Sequence, residues 1–138
     1  MGHRNVDDVL TEVEDGLLSG LAEVTERVSG GDLPHMDFSE FLDETFAFIR
    51  TNWSDFQALL VSQPDARFVA RWKGAIKANF ARRYPQARMR QNWELIAEMG
   101  ASAVIGAYTW WMEHPNATGI DAAKRQIDRA ITTIVAVL

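Results

Sequence analysis

Residues 87–113 read ARMRQNWELIAEMGASAVIGAYTWWME, and no proline or turn pair interrupts them. Pro85 stands before the stretch and His114-Pro115-Asn116 follows it, so the spacing predicts a helix over 87–113 of some 25 residues, roughly 40 Å long. One face of that helix carries Trp93, Ile96, Ala97, Gly100, Ala103, Val104, Ala107 and Trp111. The opposite face carries Leu95, Met99, Gly106 and Trp110, with a narrow polar sector of Glu94, Glu98 and Thr109. A helix on the outside of a monomer buries one stripe. This one needs partners on two sides, so it is either central in its own bundle or shared with a second subunit.

Working outward, the same 3.6-residue period recurs on both sides. Val6, Val9, Leu10, Val13, Leu17, Leu21, Val24 and Val28 mark a helix over 6–29, with Gly16 and Gly20 on its stripe. Asn5 with Asp8 forms its start, and Gly30-Gly31 then Leu33-Pro34 its end. A second helix over 38–52 follows an Asp37/Glu40 cap; its stripe is Phe38, Phe41, Leu42, Phe46 and Ile49. Ser54 with Gln57 opens a short helix over 55–61, and Gln63-Pro64-Asp65 separates it from a helix over 66–84. There Phe68, Val69, Trp72, Ile76 and Phe80 share a side. Thr118 and Asp121 cap a last helix over 120–138, with Ile120, Ala123, Ile127, Ile131, Ile134 and Leu138 inward. No β-branched alternating run appears, so the fold class is all-α: a bundle of about six helices in one domain, 1–138.

Hydrophobic residues at 47% and charged residues at 24% describe a folded chain rather than a disordered one. No apolar run spans a bilayer, no signal segment opens the chain and there are 0 cysteines, so a cytoplasmic protein without membrane contact is expected. The net charge of −5 divides unevenly: residues 1–62 carry 3 basic and 13 acidic side chains, and residues 63–138 carry 11 and 6. Phosphate binding needs clustered Lys and Arg, so the acidic first part argues against direct DNA contact. Arg82, Arg83, Arg88 and Arg90 around Pro85 form the one basic cluster, which reads as a charged helix-helix turn.

Certain residues carry a resemblance. Phe48-Ile49-Arg50-x-Asn52-x-x-x-Phe56-x-x-Leu59-Leu60 is similar to a helix junction in one group of TetR/AcrR-type C-terminal domains. Gly100 and Gly106 followed by Trp111, a short loop and a closing amphipathic helix resemble that group's dimerisation segment. Arg4-Asn5-Val6-Asp7-Asp8-Val9-Leu10 resembles the family's entry into this domain, with Val6 where a Lys is usual. The resemblance implies an effector-binding and dimerisation domain of a transcription regulator, a repressor by expectation, whose last two helices form a four-helix dimer interface. It also implies that DNA is reached through a helix-turn-helix domain that these residues do not contain.

On that reading Phe46, Asn52, Phe56, Trp72, Ile76, Phe80, Trp93, Ile96 and Gly100 are the candidate ligand residues for a small apolar or aromatic effector. The same aromatics serve equally as core, and Asn52 serves equally as a helix cap. Met99, Gly106, Trp110, Ile127, Ile131, Ile134 and Leu138 are the candidate dimer residues. Catalysis, cofactors and metals are not expected. The three histidines, His3, His35 and His114, lie in tails or loops; no Glu-x-x-His pair occurs; Asp32, His35 and Asp37 read as loop polarity; and Glu40, Asp43 and Glu44 read as a solvated face, since the sequence pattern sets no cation or histidine with them. The alternative is a stand-alone dimeric helical interaction protein with no pocket.

Overall fold

The computed structural model describes residues 5–27 and 37–138, and these are helical with no strand among them. Helix α1 is Val6–Arg27, α2 Ser39–Thr51, α3 Trp53–Gln57, α4 Ala66–Arg83, α5 Trp93–Glu113 and α6 Ile120–Val135. The expected turn at Gly30-Gly31 and Leu33-Pro34 lies outside the described residues, as do Asp32 and His35.

Helix α1 leans on α2 and α4, while α5 packs against α4 and α6, and α6 closes over α2. Local chemistry sets the boundaries. Asn5 Oδ1 accepts from the Asp8 backbone N–H at 2.8 Å and Asp8 Oδ2 accepts from the Asn5 N–H at 3.4 Å, a reciprocal cap. Asp65 caps α4 by accepting from Phe68 N–H at 3.0 Å. The other expected caps are not made. Asp37 accepts from the Ser39 N–H and hydroxyl at 2.9 and 2.7 Å instead of pairing with Glu40. Gln57 accepts from Ser62 at 2.9 Å rather than reaching back to Ser54. Gly119 occupies the α6 cap position, so Thr118 does not.

Three helix boundaries need correction, the simplest being that α6 ends at Val135 and not at 138. The break after α4 is longer than the periodicity suggests: Pro85–Met89 is a 3-10 turn, and Asn92 sits in the left-handed region at φ 62°. Asn tolerates that conformation where most side chains do not, so α5 starts at Trp93 and not at 87. Downstream of α3 the chain widens into a π-helical turn, Ala58–Ser62, closed by Gln63 N–H to Ala58 O at 2.9 Å. That turn carries Leu59 and Leu60 into the core.

The interior of α5 is also rotated, by roughly 70° at 100° per residue, from the face that periodicity picked out. Ala97, Gly100, Ala101, Val104, Ile105, Tyr108, Trp111 and Met112 are buried, while Ala103 and Ala107 are half-exposed. The opposite stripe stays uncovered, with Leu95 59%, Met99 48% and Trp110 49% exposed.

Glycines on α1 separate two environments. Around Gly16 nothing lies within 4 Å of where a Cβ would be, whereas at Gly20 a Cβ would run into the Phe48 ring. Gly16→Ala therefore gains about 0.5–1 kcal/mol of stability from helix propensity. Gly20→Ala falls about 1–2 kcal/mol short of that gain, because Phe48 must turn off its edge contact with Phe56. Urea denaturation of both variants measures the difference, and equal gains would show that α1 does not approach α2 at Gly20.

Candidate functional site

Rings from four helices meet in the centre. Tyr108 of α5 takes the edge of Phe46 of α2 at 4.9 Å and stacks on Trp72 of α4 at 5.8 Å and 10°. Phe46 continues to Trp111 at 4.9 Å, and Trp72 to Phe56 at 5.5 Å. This spine is solid: Phe46, Phe56, Phe68 and Tyr108 are at most 1% exposed.

Two cavities flank it. The inner one, about 60 Å³, lies between α2, α4, α5 and α6, with Phe38, Phe80, Gly100, Val104 and Ile131 in its wall. The second is a groove of about 240 Å³ between α1, α2 and α4, with Leu21, Thr45 and Trp72 in its wall. Phe41, Ile76 and Asn79 belong to both linings, so these side chains form the partition. Joined, the two spaces reach the low end of the range for small-molecule pockets, roughly 300–1,000 Å³.

The candidate ligand residues separate accordingly. Ile76 borders both spaces, Phe80 and Gly100 border the inner cavity, and Trp72 borders the groove. Phe46 and Phe56 belong to the spine. Trp93 and Ile96 pack half-buried against the core without bordering either space. Asn52 does what a helix-end Asn does: its Nδ2 donates to Phe48 O at 3.0 Å. Asn79 holds Arg82 and Arg83 through its Oδ1 at 2.8 and 3.3 Å, which occupies half of the basic cluster.

Sequence periodicity missed Thr45 and Tyr108. Thr45 lies three residues after Leu42 and four before Ile49 on the buried stripe of α2, and that spacing is the signal that could have found it. Its hydroxyl and that of Tyr108 are both buried, with no hydrogen-bond partner among the described residues beyond each other. Burial drives the Tyr108 phenol far above its ordinary value, only partly opposed by the nearby Thr45 hydroxyl. Neither oxygen ionises in the physiological range. The two hydroxyls form a small neutral polar pair enclosed beside the groove.

The candidate dimer residues divide as well. Met99, Gly106 and Trp110 lie on the uncovered face of α5, and Ile134 and Leu138 are half-buried. Ile127 and Ile131 turn into the protomer's own core at 8% and 5% exposure, so they offer no surface to a second copy.

Charged residues pair across helices. Arg71 of α4 reaches Asp15 at 2.8 Å and the buried Glu14 at 3.6 Å, both on α1. Lys124 of α6 holds Asp43 of α2 at 2.8 Å, so Asp43 has the cationic partner that sequence did not reveal. No group of three metal-binding side chains occurs among the described residues. Compared with known proteins, the chain matches no family model, no curated protein and no solved structure.

Glu14 sits where α1 meets the start of α4. Burial raises its pKa, and a hydrogen bond to Asp65 raises it further, while the same bond holds Asp65 low. Glu14 is thus coupled to a second carboxyl group, the one that caps α4. The folded chain keeps the Glu14 proton to higher pH than the unfolded chain, so wild type loses stability as pH rises past 4.5 toward the raised folded value. Glu14→Gln cannot ionise and preserves a donor. Its stability advantage over wild type is expected to widen between pH 4 and pH 7 in paired urea titrations; a narrowing gap would mean that the Arg71 pairing outweighs burial.

Proposed function

We propose that this chain is the effector-binding and dimerisation domain of a TetR-type transcription regulator acting as a repressor, and that its effector is a small apolar or aromatic molecule. The observation that carries the sensing part is the pair of adjoining apolar spaces divided by Phe41, Ile76 and Asn79. An occupant of the groove touches α1 on one side and α4 on the other. By the sequence resemblance, α1 is the helix that leads from the DNA-binding head, and uncovered Val6, Val9 and Leu10 at its start offer such a head an apolar seat. A molecule that fits one α1 position better than another shifts the population between them by its difference in affinity. DNA contact in this reading belongs to a helix-turn-helix domain outside these residues.

Pairing is supported by a separate observation. Leu95, Met99 and Trp110 form an uncovered apolar stripe on α5, and a Cβ placed on Gly106 in their midst would meet nothing within 4 Å. Isologous contact of two such stripes would bury them without further residues. This stripe favours equally the second reading, a dimeric interaction protein that senses nothing.

Sensing predicts that tryptophan emission shifts when an apolar aromatic such as naphthalene is titrated in, because Trp72 borders the groove. The melting temperature should rise with it. No change in either across a panel of compact aromatics would sink the sensing reading. Pairing predicts that Trp110→Glu lowers the mass seen by light scattering while leaving helicity unchanged; a wild-type monomer at micromolar concentration would refute it. Ile131 does not serve for this test, because a charge there enters the core and unfolds the protomer.

A further inference from the structure

The uncovered face of α5 continues into a groove beside it, and the charges at its two ends say which way a second copy lies. Gly106 stands at the centre of that face, with exposed Met99 and Ser102 before it and exposed Trp110 and Glu113 after it. Between this face and α4 runs a groove of about 460 Å³, with Leu60 of the π-helical turn, Val69 of α4 and Ile105 of α5 in its wall. The exposed side of α6 is polar and charged instead, carrying Asp121, Arg125, Gln126 and Arg129. A glycine inside a helix weakens it relative to alanine. A Cβ at Gly106 would meet nothing among the described residues, so no neighbour within the chain requires glycine there, whereas a second helix approaching closely would use the missing side chain. Before Gly106, Lys73 and Lys77 of α4 both reach Glu98 of α5, at 3.5 and 3.7 Å, which sets two cations on one carboxylate. After it, exposed Glu113 makes no ion pair among the described residues.

We infer that two copies of this chain pair with their α5 helices antiparallel and crossing at Gly106, so that the second copy's α5 closes each groove and Glu113 of each copy lies beside Lys73 of the other. This rests on the pairing reading, and it replaces the expected four-helix contact through α6 with one through α5 and the α4 side. With the two-fold axis at Gly106, residues equally far before and after it come level across the contact. Trp110 comes level with Ser102, whose small side chain leaves room for the indole. Glu113 comes level with Met99, next to Glu98 and the two lysines. A parallel pair crossing at the same point would set Glu113 against Glu113 and lysines against lysines, and like charges facing each other oppose association. Within one copy, Glu98 and Glu113 stand roughly 22 Å apart along α5 at 1.5 Å per residue, so Lys73 and Glu113 meet only between copies.

The chain has 0 cysteines, so single introduced cysteines report the contact. Under mild copper-catalysed oxidation, Gly106→Cys is expected to give a disulfide-linked dimer on a non-reducing gel, because equivalent Cα atoms come within the roughly 7 Å that a disulfide spans only near the axis. Glu113→Cys, roughly 21 Å from its equivalent in the antiparallel pair, and Arg129→Cys on α6 are expected to stay unlinked. Light scattering separates the two ways of failing. A wild-type monomer defeats pairing and this arrangement together. A wild-type dimer in which Gly106→Cys still pairs but does not link, or in which Glu113→Cys or Arg129→Cys links instead, overturns the arrangement and leaves pairing intact. Where the added side chain of Gly106→Cys itself prevents pairing, charge exchange reads the same register. Lys73→Glu and Glu113→Lys are each expected to weaken the dimer about threefold, and the two together to restore it to within about twofold of wild type; weakening without restoration overturns the arrangement.

Discussion

The ring of Tyr108 lies between Phe46 of α2 and Trp72 of α4, and through that contact three helices are held in register. Each ring pair contributes about 0.5–1.5 kcal/mol beyond the apolar area it buries. The pairs are linked, so displacing Tyr108 loosens Trp111 through Phe46 and Phe56 through Trp72. Burial this complete has a consequence for chemistry. The phenol oxygen is enclosed with the neighbouring Thr45 hydroxyl and has no other partner among the described residues. The closely packed rings therefore enclose a small polar pair.

Charge follows a similar logic. In sequence, acids crowd the first part and bases the second, which reads as two opposed surfaces. In the fold, α1 and α2 from the acidic part lie against α4 and α6 from the basic part. Arg71 meets Glu14 and Asp15, and Lys124 meets Asp43, a contact that raises the lysine pKa mainly through the hydrogen bond to the carboxylate. The segregation along the chain becomes pairing between layers. Each exposed pair is worth little, but the pattern favours acidic helices on basic ones over alternatives that bring like charges together. It also means that an acidic α1 says less about nucleic acid than it does about packing against α4.

Helix type and number were legible because apolar periodicity over long segments has few competing explanations. The rotation of α5 was not. With apolar residues on both sides, its wheel offers several faces of similar hydrophobicity, and the choice falls to shape: Tyr108 fits between Phe46 and Trp72, while Ala103 and Ala107 are too small to fill that space. The start of α5 depended on Asn92 accepting a left-handed backbone, which sequence permits at any Asn and demands at none. Thr45 was hidden for a related reason. A threonine on an apolar stripe usually bonds to its own helix, and only coordinates reveal that this one does not.

The two sides of the spine differ in how they could yield. Toward α5 and α6, the wall of the inner cavity is made of helices that pack on each other and on the spine, so enlarging it means parting the core. Toward α1, the groove is bounded by a helix that rests on α2 and α4 alone among its principal contacts. Its first turns carry Val6, Val9 and Leu10 uncovered, and its hold on the bundle is confined to Leu17, Leu21 and Val24 with the Arg71 pairing to Glu14 and Asp15. Elements with few buried contacts open at the lowest free energy. An occupant of the groove would therefore displace α1 before it disturbed the Tyr108 contact, so rigidity of the spine is what would direct a ligand's effect outward along α1.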